Sequence, residues 1–338
     1  MKARIAVDVM GGDHGPAVTL AAAAQFLAAH PEAELLLVGD EAILAPLLPA
    51  HGLGARVALI HAPEVVAMDE SPAIALRTKK KSSMRVAIEC VRDGTAEAAV
   101  SAGNTGALMA TAKFVLKMLP GIERPAICTA LPTRKGHVHV LDLGANVECN
   151  AEHLFQFAVM GSVLAEAYDD NPKPRVGLLN VGAESIKGND TVKAASSLLA
   201  EGPVHYIGFV EGDDIYKGDV DVVVCDGFVG NVALKTSEGL AKMITQFLRE
   251  EFSRNWLTKA SALLAAPVLR RLKNRLDPGR YNGASFLGLQ GIVIKSHGGA
   301  DVAAFSSALT VALREIEKDV PRRIDQRLGQ LLTEKETA

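Results

Sequence analysis

The chain has 338 residues, of which 36 are Lys or Arg and 39 are Asp or Glu, so its formal net charge is −3; hydrophobic residues make up 49% and aromatic residues 4%. This composition excludes a disordered, collagen-like or disulfide-built protein. The small net charge also argues against a dedicated nucleic-acid-binding protein, and four cysteines without CxxC spacing argue against a zinc knuckle.

Short apolar runs, typical of strands buried on both faces of a sheet, alternate with longer segments of helical spacing. In chain order, strands are predicted at 4–9, 34–39, 56–61, 96–101, 126–131, 137–143, 175–181, 204–209, 219–226 and 291–295, and helices at 19–29, 105–119, 151–168 and 191–199. This alternation predicts an α/β fold: a doubly wound, mostly parallel sheet with helices on both faces, an α/β/α sandwich.

The region 239–280 differs from the rest of the chain. From 242 to 280 there are nine Lys or Arg and three acidic residues, a net charge of +6 that leaves −9 for the remainder. Its apolar residues have helical spacing, which predicts a basic, amphipathic helical hairpin inserted into a single domain of residues 1–333, with Pro267 interrupting or opening the second helix. Residues 334–338 are predicted to be a charged tail.

Glycine-rich, polar loops follow many of the predicted strands, and most of them come just before a helix. Ligands of open α/β sheets bind beyond the carboxyl ends of strands, where free N–H groups and helix dipoles favour an anion. Six such loops predict one shared site for an anionic ligand. The candidate residues in these loops or at the ends of the elements beside them are Asp8, Gly11, Gly12, Asp13, Gly103, Asn104, Thr105, Gly106, Asn146, Lys187, Asn189, Gly230, Asn231, Lys295, His297 and Gly298.

Several well-known catalytic motifs are absent from the sequence. It contains no GxxxxGK[ST], GxGxxG, GxSxG or HExxH pattern, which argues against a P-loop kinase, an ordinary dinucleotide-binding enzyme, a serine hydrolase and a zinc protease. His137, His139 and His205 lie in predicted strands and receive no role. The sequence thus predicts no metal site and no cofactor.

Motifs spread through nearly the whole chain resemble those of the bacterial phosphate acyltransferase family of phospholipid synthesis. They are VDVMGGDHGP (7–16), SAGNTGA (101–107), LDLGAN (141–146), NVG (180–182), IKGND (186–190), CDGFVGN (225–231) and KSHGG (295–299). The resemblance implies a fold related to phosphotransacetylases and isocitrate-type dehydrogenases. It also implies a homodimer that converts acyl-(acyl carrier protein) and inorganic phosphate into acyl phosphate, feeding glycerol-3-phosphate acylation.

The predicted roles follow from this chemistry, in which phosphate itself attacks a thioester. Lys187 and Lys295 are expected to supply positive charge, His297 an acid or base, and Asn231 with the other asparagines neutral donors. Asp8 and Asp13 are expected to orient loops, because a carboxylate repels phosphate. Asn146 and Asn189 have an equally weighted alternative as helix caps or turns.

The basic hairpin and the cysteines have alternative interpretations. Arg270, Arg271 and Lys273 would suit an acidic carrier protein, an anionic lipid surface beside a membrane glycerol-3-phosphate acyltransferase, or a dimer mate. Cys149 and Cys225 could carry an acyl group, although an inert buried cysteine is commoner. The expected location is the cytoplasm, with association at the membrane surface.

Two other functions compete with the acyltransferase. One is a metal- and NAD-dependent dehydrogenase of the related isocitrate dehydrogenase-like fold, which would need a compact cluster of aspartates. The other is a non-catalytic adaptor at the membrane surface, built on the basic helices, which would leave the six loops unexplained.

Overall fold

A computed structural model describes residues 3–276 and 278–337, and only the backbone of 273–276, 278, 280 and 331–337. The strands are β1 (Arg4–Asp8), β2 (Glu34–Gly39), β3 (Val57–His61), β4 (Ala98–Ser101), β5 (Ala126–Pro132), β6 (His137–Leu141), β7 (Arg175–Leu179), β8 (His205–Val210), β9 (Val222–Val224), β10 (Ala284–Leu287) and β11 (Ile292–Lys295). The helices are α1 (Pro16–Ala29), α2 (Glu41–Leu44), α3 (Pro72–Thr78), α4 (Ser83–Arg92), α5 (Thr105–Leu116), α6 (Ala151–Asp169), α7 (Asp190–Ala200), α8 (Gly227–Ser253), α9 (Trp256–Leu276), α10 (Val302–Lys318) and α11 (Val320–Thr337).

The eleven strands form one sheet in the order β3-β2-β1-β4-β11-β10-β5-β6-β9-β7-β8. Seven of its ten pairings are parallel; the antiparallel ones are β11–β10, β10–β5 and β5–β6. The predicted mostly parallel α/β sheet is confirmed. Strand β10 was not predicted from the sequence.

These three antiparallel pairings reverse the direction of half the sheet. Strands β1, β4 and β11 run one way, whereas β6, β9 and β7 run the other. The carboxyl ends of the two sets therefore lie at opposite edges. The expectation that six loops meet at one edge is wrong in this respect.

Successive side chains of a strand point to opposite faces of the sheet, so they pack into different hydrophobic cores. In β1, Ala6 belongs to the core beneath α4 and α5, whereas Ile5 and Val7 pack against α1 and α10. In the other half of the sheet, Leu141 and Val222 join the core formed with α6, α7 and α11. Helices thus cover both faces, as predicted.

Helices α8 and α9 form the hairpin. Helix α8 starts earlier than the predicted 239 because the Asp226 carboxylate caps it, accepting from the Val229 amide at 2.8 Å. Pro267 lies inside α9 and does not interrupt it, which corrects the expectation. Proline removes one helical hydrogen bond, and its exposed position lets water reach the freed carbonyl of Leu263.

Large apolar side chains of the hairpin lie open to solvent. Trp256, Leu263 and Leu264 are 75%, 78% and 87% exposed. None of the helices in the part of the chain that the structure describes has the length and apolarity needed to cross a bilayer. Helix α11 is assigned through Thr337, and Ala338 of the predicted tail lies outside the described residues.

Candidate active site

The loops that follow β1, β4 and β11 come together at one edge of the sheet. The Asp13 amide donates to the Gly298 carbonyl at 2.9 Å. Gly12 has φ of +89°, and a Cβ there would stand 2.8 Å from the Ala102 side chain and 3.0 Å from the Gly298 oxygen. Because only glycine fits this conformation and this space, the three loops form one glycine-lined cradle.

Lys295 ends β11 at the floor of this cradle and is only 8% exposed. Its Nζ donates to the carbonyl oxygens of Ala102, at 3.2 Å, and Ser296. Burial lowers the pKa of Lys295 to about 8, against the opposing charges of Asp8 and Asp13. Burial of the ammonium therefore outweighs these favourable contacts, and a bound anion would stabilise it.

Asp8 is buried beside Lys295, and its Oδ2 accepts from the Ser101 hydroxyl at 2.6 Å. Burial raises the pKa of this carboxyl, which the Ser101 hydrogen bond opposes. The same hydroxyl accepts from the Gly103 amide at 3.0 Å. Asp8 thus fixes the loop after β4, and the exposed Asp13 carboxylate packs over Gly298 and Gly299.

His297 contacts the cradle from the loop after β11. Its Nδ1 accepts from the Gly299 amide at 3.1 Å, which leaves Nε2 to carry the proton in the neutral ring. Burial lowers the pKa of His297, with a further contribution from Lys235. The ring is therefore a neutral N–H donor near pH 7 rather than a cation.

Helix α8 brings a residue that the sequence did not single out. Lys235 is close enough to lower the pKa of both Lys295 and His297, and its Nζ pairs with Glu238 at 2.9 Å. The position of Lys235 in a predicted helix could not have shown that it lies near Lys295, because α8 starts at the opposite edge of the sheet and crosses one face. Asn282, whose Oδ1 accepts from the His297 amide at 2.9 Å, was also missed.

Asn104 is occupied by structural contacts. Its Oδ1 accepts from the Ala107 amide at 3.0 Å and caps α5, and its Nδ2 donates to the carbonyls of Met68 at 2.8 Å and Glu70 at 3.0 Å. Thr105 and Gly106 begin α5, with Gly106 against Pro72. Asn104 therefore holds the 67–70 loop over the cradle, where Met68 approaches Gly298.

A second group forms at the other edge, where β6 and β9 end. The buried Asn146 donates from Nδ2 to the Pro125 carbonyl at 2.7 Å and to Asp142 at 2.9 Å. A Cβ on Gly230 would overlap the Asp142 carbonyl oxygen, and Asn231 packs against Gly144. The amide protons of Asn146 are thus used internally, whereas Asn231 is exposed on the second turn of α8.

Lys187 and Asn189 lie in a third loop, after β7. Lys187 is exposed and pairs with Glu184 at 2.9 Å, and the Glu184 carboxylate raises its pKa. Asn189 caps α7 by accepting from the Val192 amide at 2.8 Å. The described contacts join neither residue to Lys295.

The remaining candidates lie apart from the cradle or are shielded. Arg270 and Arg271 are exposed on α9, and the side chain of Lys273 lies outside the described residues. Burial raises the pKa of the Cys149 thiol to about 11 and that of Cys225 well above its ordinary value. Both cysteines are therefore protonated and poor nucleophiles.

Comparison with known proteins gives one family. A family model described as "Fatty acid synthesis protein" matches residues 3–323. A phosphate acyltransferase from Alkalilimnicola ehrlichii is 60% identical over 335 residues, which cover 98% of this chain and 98% of that protein.

Two solved structures share the fold. The EutD phosphotransacetylase from Staphylococcus aureus has a TM-score of 0.62 at 16% identity, with 93% of this chain and 94% of that chain covered. A 4-hydroxythreonine-4-phosphate dehydrogenase from Klebsiella pneumoniae has a TM-score of 0.56 at 15% identity, with 94% and 100% covered. The predicted relation to phosphotransacetylases is confirmed at the level of fold.

Proposed function

Because the chain belongs to the fatty acid synthesis protein family, whose curated members include phosphate acyltransferases, we propose that it transfers an acyl group to inorganic phosphate at the cradle of β1, β4 and β11. It is an acyltransferase. We base the proposed location of the phosphate site on the buried Lys295 ammonium, which lies beneath glycine-lined loops at the carboxyl end of a central strand. A small anion is the ligand that such a cradle favours.

The reaction needs no covalent enzyme intermediate. A phosphate oxygen attacks the thioester carbonyl, the C–O bond forms, the C–S bond breaks, and the carrier leaves as a thiol that takes a proton from phosphate. Lys295 holds the phosphate charge, and the neutral His297 donates from Nε2 to the developing oxyanion. Lys235 adds positive potential from α8, and Asp8 and Asp13 position the loops.

The acyl donor is proposed to be an acyl carrier protein. Carrier proteins are acidic, and the hairpin presents Arg270 and Arg271 with exposed apolar side chains such as Trp256. The same surface suits anionic lipid headgroups, which would bring the product close to a membrane glycerol-3-phosphate acyltransferase. A homodimer remains part of this proposal. Lys187 and Asn231 are proposed to contact the phosphate or pantetheine ends of the substrates.

The assay combines the purified chain, palmitoyl-carrier protein and phosphate without added metal or NAD. Acyl phosphate detected by mass spectrometry, with one free carrier thiol per product, is the expected result. The dehydrogenase alternative predicts metal-dependent reduction of NAD, and the adaptor predicts neither product. Unchanged kinetics in Lys295→Ala would remove the proposed role of the cradle.

A further inference from the structure

Two histidines and an aspartate converge on the face of the sheet that packs against α6. His137 and His139 are two residues apart on β6, so their rings share one face. Their Nε2 atoms lie 2.9 and 3.1 Å from Oδ1 and Oδ2 of Asp169, the last residue of α6. Both nitrogens already point at one carboxylate.

The spacing of these donor atoms suits a small divalent ion. The three residues each offer a ligand atom, and these atoms lie within 4.8 Å of one another. Ligands held about 2.0–2.1 Å from a tetrahedral zinc ion are roughly 3.3 Å apart, so small side-chain rotations suffice. Two imidazoles with a carboxylate favour borderline ions such as Zn²⁺, Co²⁺ and Ni²⁺ over Mg²⁺ or Ca²⁺.

The surroundings leave room for a fourth ligand. The His139 side chain is 4% exposed, whereas those of His137 and Asp169 are 32% and 25% exposed. The cluster is therefore anchored in the core on one side and open to water on the other, as in zinc sites with a free position. Asp221 adds negative charge near His137, and Arg314, stacked 5.1 Å from the Tyr168 ring, opposes it.

We propose that His137, His139 and Asp169 form a binding site for a divalent transition-metal ion, with Zn²⁺ as the probe, on the sheet face opposite Lys295. The ion would join β6 to the end of α6. The ring of His137 also lies 6.5 Å from that of Tyr281, the neighbour of Asn282, which holds the His297 amide. The proposed metal site is thus separate from the cradle but lies near Asn282, which positions the cradle residue His297.

The test is isothermal titration of the full chain with ZnCl₂ in a non-chelating buffer at neutral pH. One equivalent should bind to the wild type and to the control His205→Gln, which changes a histidine on β8. Loss of a residue that hydrogen-bonds to a metal ligand costs about 10- to 100-fold in metal affinity. His137→Gln and Asp169→Asn remove direct ligands, so each should weaken binding by at least about 100-fold. Acyl transfer should persist in His137→Gln. Failure of the metal-site proposal would therefore show in zinc binding, and failure of the proposed function would show in acyl transfer.

A Co²⁺ titration of the wild type covers the case in which a variant fails to fold. Visible absorption typical of nitrogen and oxygen ligands supports the site, and a thiolate charge-transfer band, which would place the ion on cysteine, overturns it. Absence of any bound Zn²⁺ in the wild type, or wild-type affinity in a folded His137→Gln, also overturns it.

Discussion

Raising the pH should weaken phosphate use through Lys295. Its pKa of about 8, set by burial, lies well below the ordinary 10.5. Above pH 8 the folded protein loses this positive charge. Deprotonation of Lys295 should therefore lower kcat/KM for phosphate by about 10-fold for each pH unit. Lys295→Arg retains the charge at all these pH values and should lack the decline.

The same group predicts a pH dependence of stability. Between pH 8 and 10.5 the unfolded chain keeps a proton that the folded chain has lost, so the free energy of unfolding rises with pH, by up to about 1.4 kcal/mol per unit from this lysine. Over the window of about 2.5 units the total is roughly 3 kcal/mol.

Urea unfolding across this pH range, for the wild type, Lys295→Met and the exposed control Lys113→Met, measures the effect. The rise in the free energy of unfolding between pH 8 and 10.5 should be absent in Lys295→Met and present in Lys113→Met. Parallel profiles for the wild type and Lys295→Met, together with equal phosphate kinetics, would refute the reasoning that Lys295 is a buried, anion-binding amine.

Four further outcomes are expected. Gly230→Ala should lower the free energy of unfolding by about 1–3 kcal/mol in urea melts, because its methyl group overlaps the Asp142 carbonyl, whereas Gly239→Ala, with open space around it, should not. Cys149→Ala and Cys225→Ala should keep most activity with sequential kinetics; an acyl-cysteine trapped by mass spectrometry would contradict this. Lys187→Ala should raise the KM for phosphate by about 10-fold or more, and an unchanged KM would limit Lys187 to its pair with Glu184. Reversing Arg270, Arg271 and Lys273 to Glu should raise the KM for carrier protein and reduce binding to anionic vesicles in flotation assays, with phosphate KM unchanged; survival of both interactions would leave the hairpin a packing or dimer element.

The layers of the fold were predictable because most strands are apolar runs and their helices have clear periodicity. The direction of each half of the sheet was not. It depends on β10, a strand of four residues, Ala284–Leu287, whose pairing with β5 is set by tertiary contacts and not by local pattern. Missing that strand hid the reversal that separates Lys295 from Asn146.

For the site, the sequence located the loops but could not tell ligand-facing amides from internal ones. Asn104 and Asn189 look alike in the sequence, and both prove to be helix caps. Lys235 lies in no recognisable motif. The sequence could not place it near His297, because that proximity depends on the path of α8 across the sheet. The His-x-His pattern of β6 was visible, but its third partner, Asp169, is 30 residues away from His139.

The length of α8 lets a single helix connect two regions of the protein. From Asn231 to Phe247 the helix rises about 24 Å without a break, at about 1.5 Å per residue. Lys235 lies about one turn from Asn231 on this uninterrupted helix, and its charge lowers the pKa of His297. We therefore expect a partner that displaces the hairpin to change the electrostatic potential at His297 as well, because the hairpin and Lys235 lie along the same helix.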